Sequence, residues 1–234
     1  MIGVGLSLGE VVCRQGAPSG PPGETLVRTY VGMVSNVGDA IPCSANVGEL
    51  IVVYVMATVP EVDVGLVFNA TWNGVGFTVT AQPFSSGTPA HDLLIATLRV
   101  PTGKAGTYDI LPSWDEGDEP DAISFYAEKW TGVTSGTADR TNHEAGWSTL
   151  PSSGTISPSV NHILVLCAVG RAGVPAVEGD WAAGLTAPAE GHVHASAHLR
   201  TAYEIQTVGT TRAASIAYPS LGYWGAVIVM MKAQ

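Results

Sequence analysis

Apolar positions along this chain come in short runs separated by turn residues, and the runs are rich in valine and isoleucine. The strongest is Leu50–Met56, seven consecutive apolar residues with Glu49 in front and Thr58-Val59-Pro60 behind. A short, β-branched run of this kind predicts a strand covered on both faces. An echo returns at His162–Val169, and the lead-ins match: Ile41-Pro42-Cys43-Ser44-Ala45-Asn46 before the first, Ile156-Ser157-Pro158-Ser159-Val160-Asn161 before the second. A third run, Trp224–Met231, lies near the C-terminus. Three central strands this far apart predict a sandwich whose strands return repeatedly to one core.

Weaker runs fill the intervals. Thr29-Tyr30-Val31, Asp39-Ala40-Ile41, Val64–Phe68, Leu93–Val100, Gly106–Leu111 and Ala122–Trp130 read as strands, and Pro101-Thr102-Gly103-Lys104 reads as a turn. Asn73-Gly74, between β-prone arms in Asn69–Val79, supplies the two positive-φ residues of a type I′ hairpin. No stretch carries an uninterrupted apolar stripe at helical spacing, so no long helix is expected. The predicted class is all-β, a sandwich of two antiparallel sheets.

Composition sharpens this. With 234 residues, 46% of them hydrophobic, the chain can bury a full core as one domain. Residues 26–234 are assigned to it. Residues 1–25 read differently: Ile2, Val4, Leu6, Leu8, Val11 and Val12 alternate with small residues, and a stiff Gly/Pro stretch follows. That pattern predicts an extended arm that docks on a neighbour. Gly5-Leu6-Ser7-Leu8-Gly9 has the form of a nucleophile elbow but lacks the buried strand and following helix that an elbow requires. A net charge of −10 argues against nucleic acid. No basic leader region is evident at Met1–Leu6, and no apolar run reaches membrane-spanning length. The three cysteines, Cys13, Cys43 and Cys167, follow no metal or disulfide spacing.

Together, the strand Leu50–Met56, the hairpin Thr71–Phe77, the turn Leu98–Gly103 and the aromatic strand Phe125–Thr134 ending in Trp130-Thr131-Gly132-Val133 form a pattern. With Ser157-Pro158-Ser159-Val160 before the second central strand and the closing run 224–229, it resembles a jelly-roll module of concanavalin A-like type over residues 35–234. Such modules occur in bacteriophage virion proteins and bacterial surface proteins. The resemblance implies binding or assembly and carries no catalytic signature; the arm and residues 171–200 depart from it.

Candidate chemistry is sparse. Trp114-Asp115-Glu116-Gly117-Asp118-Glu119-Pro120-Asp121 places five carboxylates within seven residues, hard oxygen ligands suited to Ca²⁺ but without EF-hand spacing, so the loop reads first as solvated. In His192-Val193-His194-Ala195-Ser196-Ala197-His198, strand alternation puts His192, His194 and His198 on one face, a candidate transition-metal set of the kind shared around a trimer axis; a solvent-facing strand is the simpler reading. Trp72, Trp130 and Trp224 lie in strand patterns and read as core. Trp114, Trp147 and Trp181 read as loop residues, and Trp114 with Asp115 and Trp181 with Asp180 are candidate glycan contacts, a ring for stacking beside a carboxylate for sugar hydroxyls. The expected protein is a non-enzymatic virion component without an obligatory cofactor: a capsid decoration, head fibre, spike or tail part that contacts other virion proteins and copies of itself. The alternative is a lectin-like module for cell-surface glycans.

Overall fold

A computed structural model of the chain describes residues 25–59, 68–81, 84–85, 90–114, 120–172, 179–188 and 197–233. Among the described residues the regular elements are all strands: β1 (Val27–Val34), β2 (Ile41–Ala45), β3 (Leu50–Val59), β4 (Phe68–Trp72), β5 (Val75–Gly76), β6 (Thr78–Ala81), β7 (Phe84–Ser85), β8 (Ala90–Arg99), β9 (Gly106–Trp114), β10 (Ala122–Thr131), β11 (Arg140–Ser148), β12 (Ile163–Ala172), β13 (Ala197–Gln206) and β14 (Gly222–Lys232). They form three antiparallel sheets. One runs β1-β10-β3-β8-β6 with β7 also on β8, one β11-β14-β12-β13, and one β2-β9-β4-β5.

Alternation along β3 explains how the sheets stack. Ile51, Val53, Val55 and Ala57 pack with Ile41 and Cys43 of β2, Phe68 and Trp72 of β4, and Ile110 of β9. Leu50, Val52, Tyr54 and Met56 point the other way, onto Leu164 and Leu166 of β12, Leu199 of β13, and Val227 and Val229 of β14. The sheet holding β3 is therefore the middle layer, between an N-terminal outer sheet and a C-terminal outer sheet. The all-β sandwich expected from the sequence is present, with three sheets in place of two. The reason lies in the central run itself: a strand apolar on both faces needs a sheet on each. Each aliphatic side chain removed from water this way contributes about 1.5–3 kcal/mol.

The echo strand β12 is likewise covered twice. Its Ile163, Val165 and Cys167 face away from the middle sheet and pack with Ala202, Ala214, Ile228 and Met230. Irregular segments lie over this face, tied down by the bridges Ser152↔Ser215, Ile156↔Arg212 and Trp181↔Ile216. Two local features fix the geometry. Asn73 and Gly74 take φ of 50° and 68°, as the β4–β5 turn requires. Gly170 of β12 packs directly against Met56 of β3, so a Cβ there would have to displace that buried side chain at the contact between the middle and C-terminal sheets.

Candidate functional site

The polar groups inside this stack are placed by strand register. Glu128 of β10 pairs with Val52 of β3 and so faces the C-terminal sheet, 1% exposed. Its carboxylate accepts hydrogen bonds from Arg28 Nε at 2.6 Å, Tyr54 OH at 2.6 Å and Trp130 Nε1 at 2.9 Å. Arg28 also donates to the Tyr126 hydroxyl, and its guanidinium lies 5.5 Å from the Tyr203 ring centroid. Burial, reinforced by the neighbouring carboxylate, pushes the Tyr54 hydroxyl well above its ordinary pKa. The arrangement is an enclosed, charge-assisted clasp. It fastens β1 to the middle sheet and gives that strand a contact with β13 across the layer boundary.

A second buried cation holds the cover of the C-terminal sheet. Arg171 of β12, 5% exposed, donates from Nη2 to Ser220 Oγ at 3.0 Å and to the Leu221 carbonyl at 2.7 Å. Its guanidinium carbon lies 4.8 Å from the Tyr218 ring centroid. His198 is opposite Arg171 in the β12–β13 register and meets the same ring edge-on at 6.1 Å. His198 is thus buried, because the segment around Tyr218 closes over the face that β13 would otherwise show to water. Its proposed companions His192 and His194 lie outside the described residues. Among the described residues, no group of three His, Cys, Asp or Glu side chains is placed to hold a metal ion. His91, 2% exposed at the β3–β8 boundary, has Nδ1 3.4 Å from Thr58 Oγ1. Burial lowers its pKa to about 4, which leaves the ring neutral at pH 7.

The tryptophans divide differently from the sequence expectation. Trp72, Trp130 and Trp224 are buried, as expected. Trp114 is not in a loop: it ends β9, and its ring packs edge-on against Phe68 at 5.8 Å, partly buried against the core between the middle and N-terminal sheets. Trp181 packs on the far side of the C-terminal sheet, bridged to Ile216, while Asp180 beside it is exposed. The two rings belong to opposite sides of the stack and do not share a surface. Asp115 and the arm residues Ile2, Val4, Leu6, Leu8, Val11 and Val12 lie outside the described residues.

The most exposed tryptophan is Trp147, on β11. It is 55% exposed and meets Tyr223 of β14 with ring centroids 4.4 Å apart. Register explains the pair, since Trp147 lies directly opposite Tyr223. Leu150 and Leu221, 61% and 59% exposed, follow β11 and precede β14 respectively, so that end of the C-terminal sheet carries an aromatic and aliphatic surface. Exposed apolar side chains also lie on β1, the terminal strand of the middle sheet: Tyr30 and Met33, 40% and 41% exposed, on the face toward the C-terminal sheet, and Val27, 50% exposed, on the opposite face. Neither group stood out in the sequence. Their residues are common strand formers, and only the sheet order shows which ones lack a cover.

Comparison with known proteins finds no matching family model, no matching curated protein and no matching solved structure.

Proposed function

We propose that the chain is a non-enzymatic structural protein of a bacteriophage or phage-like particle: a capsid decoration, head fibre, spike or tail component. The observation that supports this most directly is the edge strand β1. Among the described residues it is paired only with β10, it exposes three large apolar side chains, and it follows the 1–25 segment in sequence. An apolar sheet edge is a surface for strand addition or packing. The alternating apolar residues before it extend the same chemistry. In this reading the sandwich is the rigid body, and the arm with β1 is the means of attachment to other virion proteins or to further copies of the chain. The buried clasp on Arg28 keeps that attachment strand fixed to the core.

A second reading, carbohydrate binding, is favoured by the Trp147–Tyr223 pair, because an exposed ring offers a flat apolar face to a sugar. One set of variants separates the two. Deleting residues 1–25 should leave a folded domain whose incorporation into particles falls by at least tenfold, about 1.4 kcal/mol of docking free energy. Trp147→Ala should incorporate normally. If the module also binds glycans, Trp147→Ala should lose retention on host polysaccharide. Undiminished incorporation of the truncated chain would remove the assembly reading. Retention unchanged by Trp147→Ala would remove this aromatic surface as a sugar site.

A further inference from the structure

A concavity of about 410 Å³ opens at one end of the middle sheet, lined by the turn Asn46–Glu49, by Arg99 at the end of β8, and by Thr131 and Val133 at and just beyond the end of β10. Its charges are not balanced. Glu49 is already engaged: Oε2 accepts from Lys129 Nζ at 3.1 Å and from the Asn46 backbone N–H at 2.6 Å. Lys129 is held in turn by the Ser44 carbonyl at 2.8 Å. Glu49 and Lys129 cancel, which leaves the guanidinium of Arg99. That side chain is exposed and forms no hydrogen bond or ion pair with another described residue. In this respect it differs from Arg28, Lys129, Arg212 and Lys232, each of which meets a carboxylate.

A local positive site on a chain of net charge −10 is selective. The overall field repels anions, so an anion stays only where it gains a direct contact. A guanidinium fork fits a carboxylate through two parallel N–H···O bonds. The rest of the lining asks for more than a bare anion. The Asn46 carboxamide offers both donor and acceptor. The Thr131 hydroxyl donates to the Thr25 carbonyl at 3.2 Å and keeps its lone pairs for an incoming hydroxyl. Val47, 49% exposed, adds apolar surface. A ligand with one carboxylate, several hydroxyls and an apolar ring face satisfies all of these together.

We propose that this concavity binds a carboxylated saccharide unit of the uronic acid type, with Arg99 on its carboxylate and Asn46 and Thr131 on its hydroxyls. The site deepens the carbohydrate reading but uses neither Trp147 nor Tyr223, so loss of the aromatic surface and loss of this site are separate outcomes.

The test is a calorimetric or NMR titration of the full-length protein at low ionic strength with glucuronate, glucose and succinate. Glucuronate should bind saturably and weaken as salt is added, while glucose should not bind measurably. Arg99→Gln should reduce glucuronate affinity by at least about tenfold, the usual scale for losing a charge-assisted hydrogen bond. Its melting temperature should not change, since Arg99 is exposed. Asn46→Ala should reduce affinity less, and Arg140→Gln on β11 should leave it intact. Succinate binding as tightly as glucuronate would overturn the saccharide assignment. Absence of saturable glucuronate binding, or binding equal in Arg99→Gln, would overturn the site.

Discussion

Val53→Asp and Leu164→Asp should each leave no soluble folded protein. Both side chains are fully buried, in different layers: Val53 between the middle and N-terminal sheets, Leu164 between the middle and C-terminal sheets. Each substitution removes about 1.5–3 kcal/mol of apolar burial. Each also places a carboxylate among apolar neighbours, where an unpaired polar or charged group costs several kcal/mol more, at least ~3 kcal/mol. A domain holds only about 5–15 kcal/mol in total, so either change consumes most of it. Val208→Asp, at a position 68% exposed, should stay within about 0.5 kcal/mol of the parent. Soluble yield and thermal melting check all three. A soluble, normally melting Val53→Asp would mean that β3 is not enclosed by a second sheet.

Glu128→Ala should cost about 3–5 kcal/mol, the scale for breaking a buried ion pair by removing one partner. The cost arises from what remains. Arg28 keeps its charge with a side chain only 15% exposed, and the buried Tyr54 hydroxyl and Trp130 indole lose their acceptor. Replacing both members of the pair, Arg28→Met with Glu128→Ala, should recover part of the loss, because no uncompensated charge is left behind. Denaturant melts of the two single variants and the double variant measure this coupling. A loss under about 1 kcal/mol for Glu128→Ala would show that the clasp is peripheral to stability.

The elements legible in the sequence are those whose pattern is set by their own residues. Leu50–Met56 carries its double burial in the run itself, and Asn73-Gly74 carries its turn in the backbone freedom of two residues. Strand β11 was illegible for the opposite reason. Arg140-Thr141-Asn142-His143-Glu144 offers no apolar alternation, and the strand exists because β14 pairs along its whole length. The same logic governs the candidate sites. Whether a tryptophan is a platform or a filler depends on remote partners: Phe68 takes Trp114, Ile216 lies against Trp181, and Trp147 is left the most exposed. His198 belonged to a polar-looking stretch, and the segment that buries it arrives some twenty residues later in the chain. Arg99 is the reverse case, an ordinary strand-end arginine whose interest comes from the concavity that three separate strand ends build around it.

The middle sheet is enclosed by sheets on both faces, and β1 is its terminal strand. Native-state amide hydrogen exchange tests this enclosure most directly, because enclosed strands open only with global unfolding while edges open locally. Amides of Ile51–Ala57 in β3 should exchange at the slowest rates in the protein, together with those of β12, and amides along β1 should exchange markedly faster. If β3 exchanges as fast as β1, the three-layer arrangement is wrong.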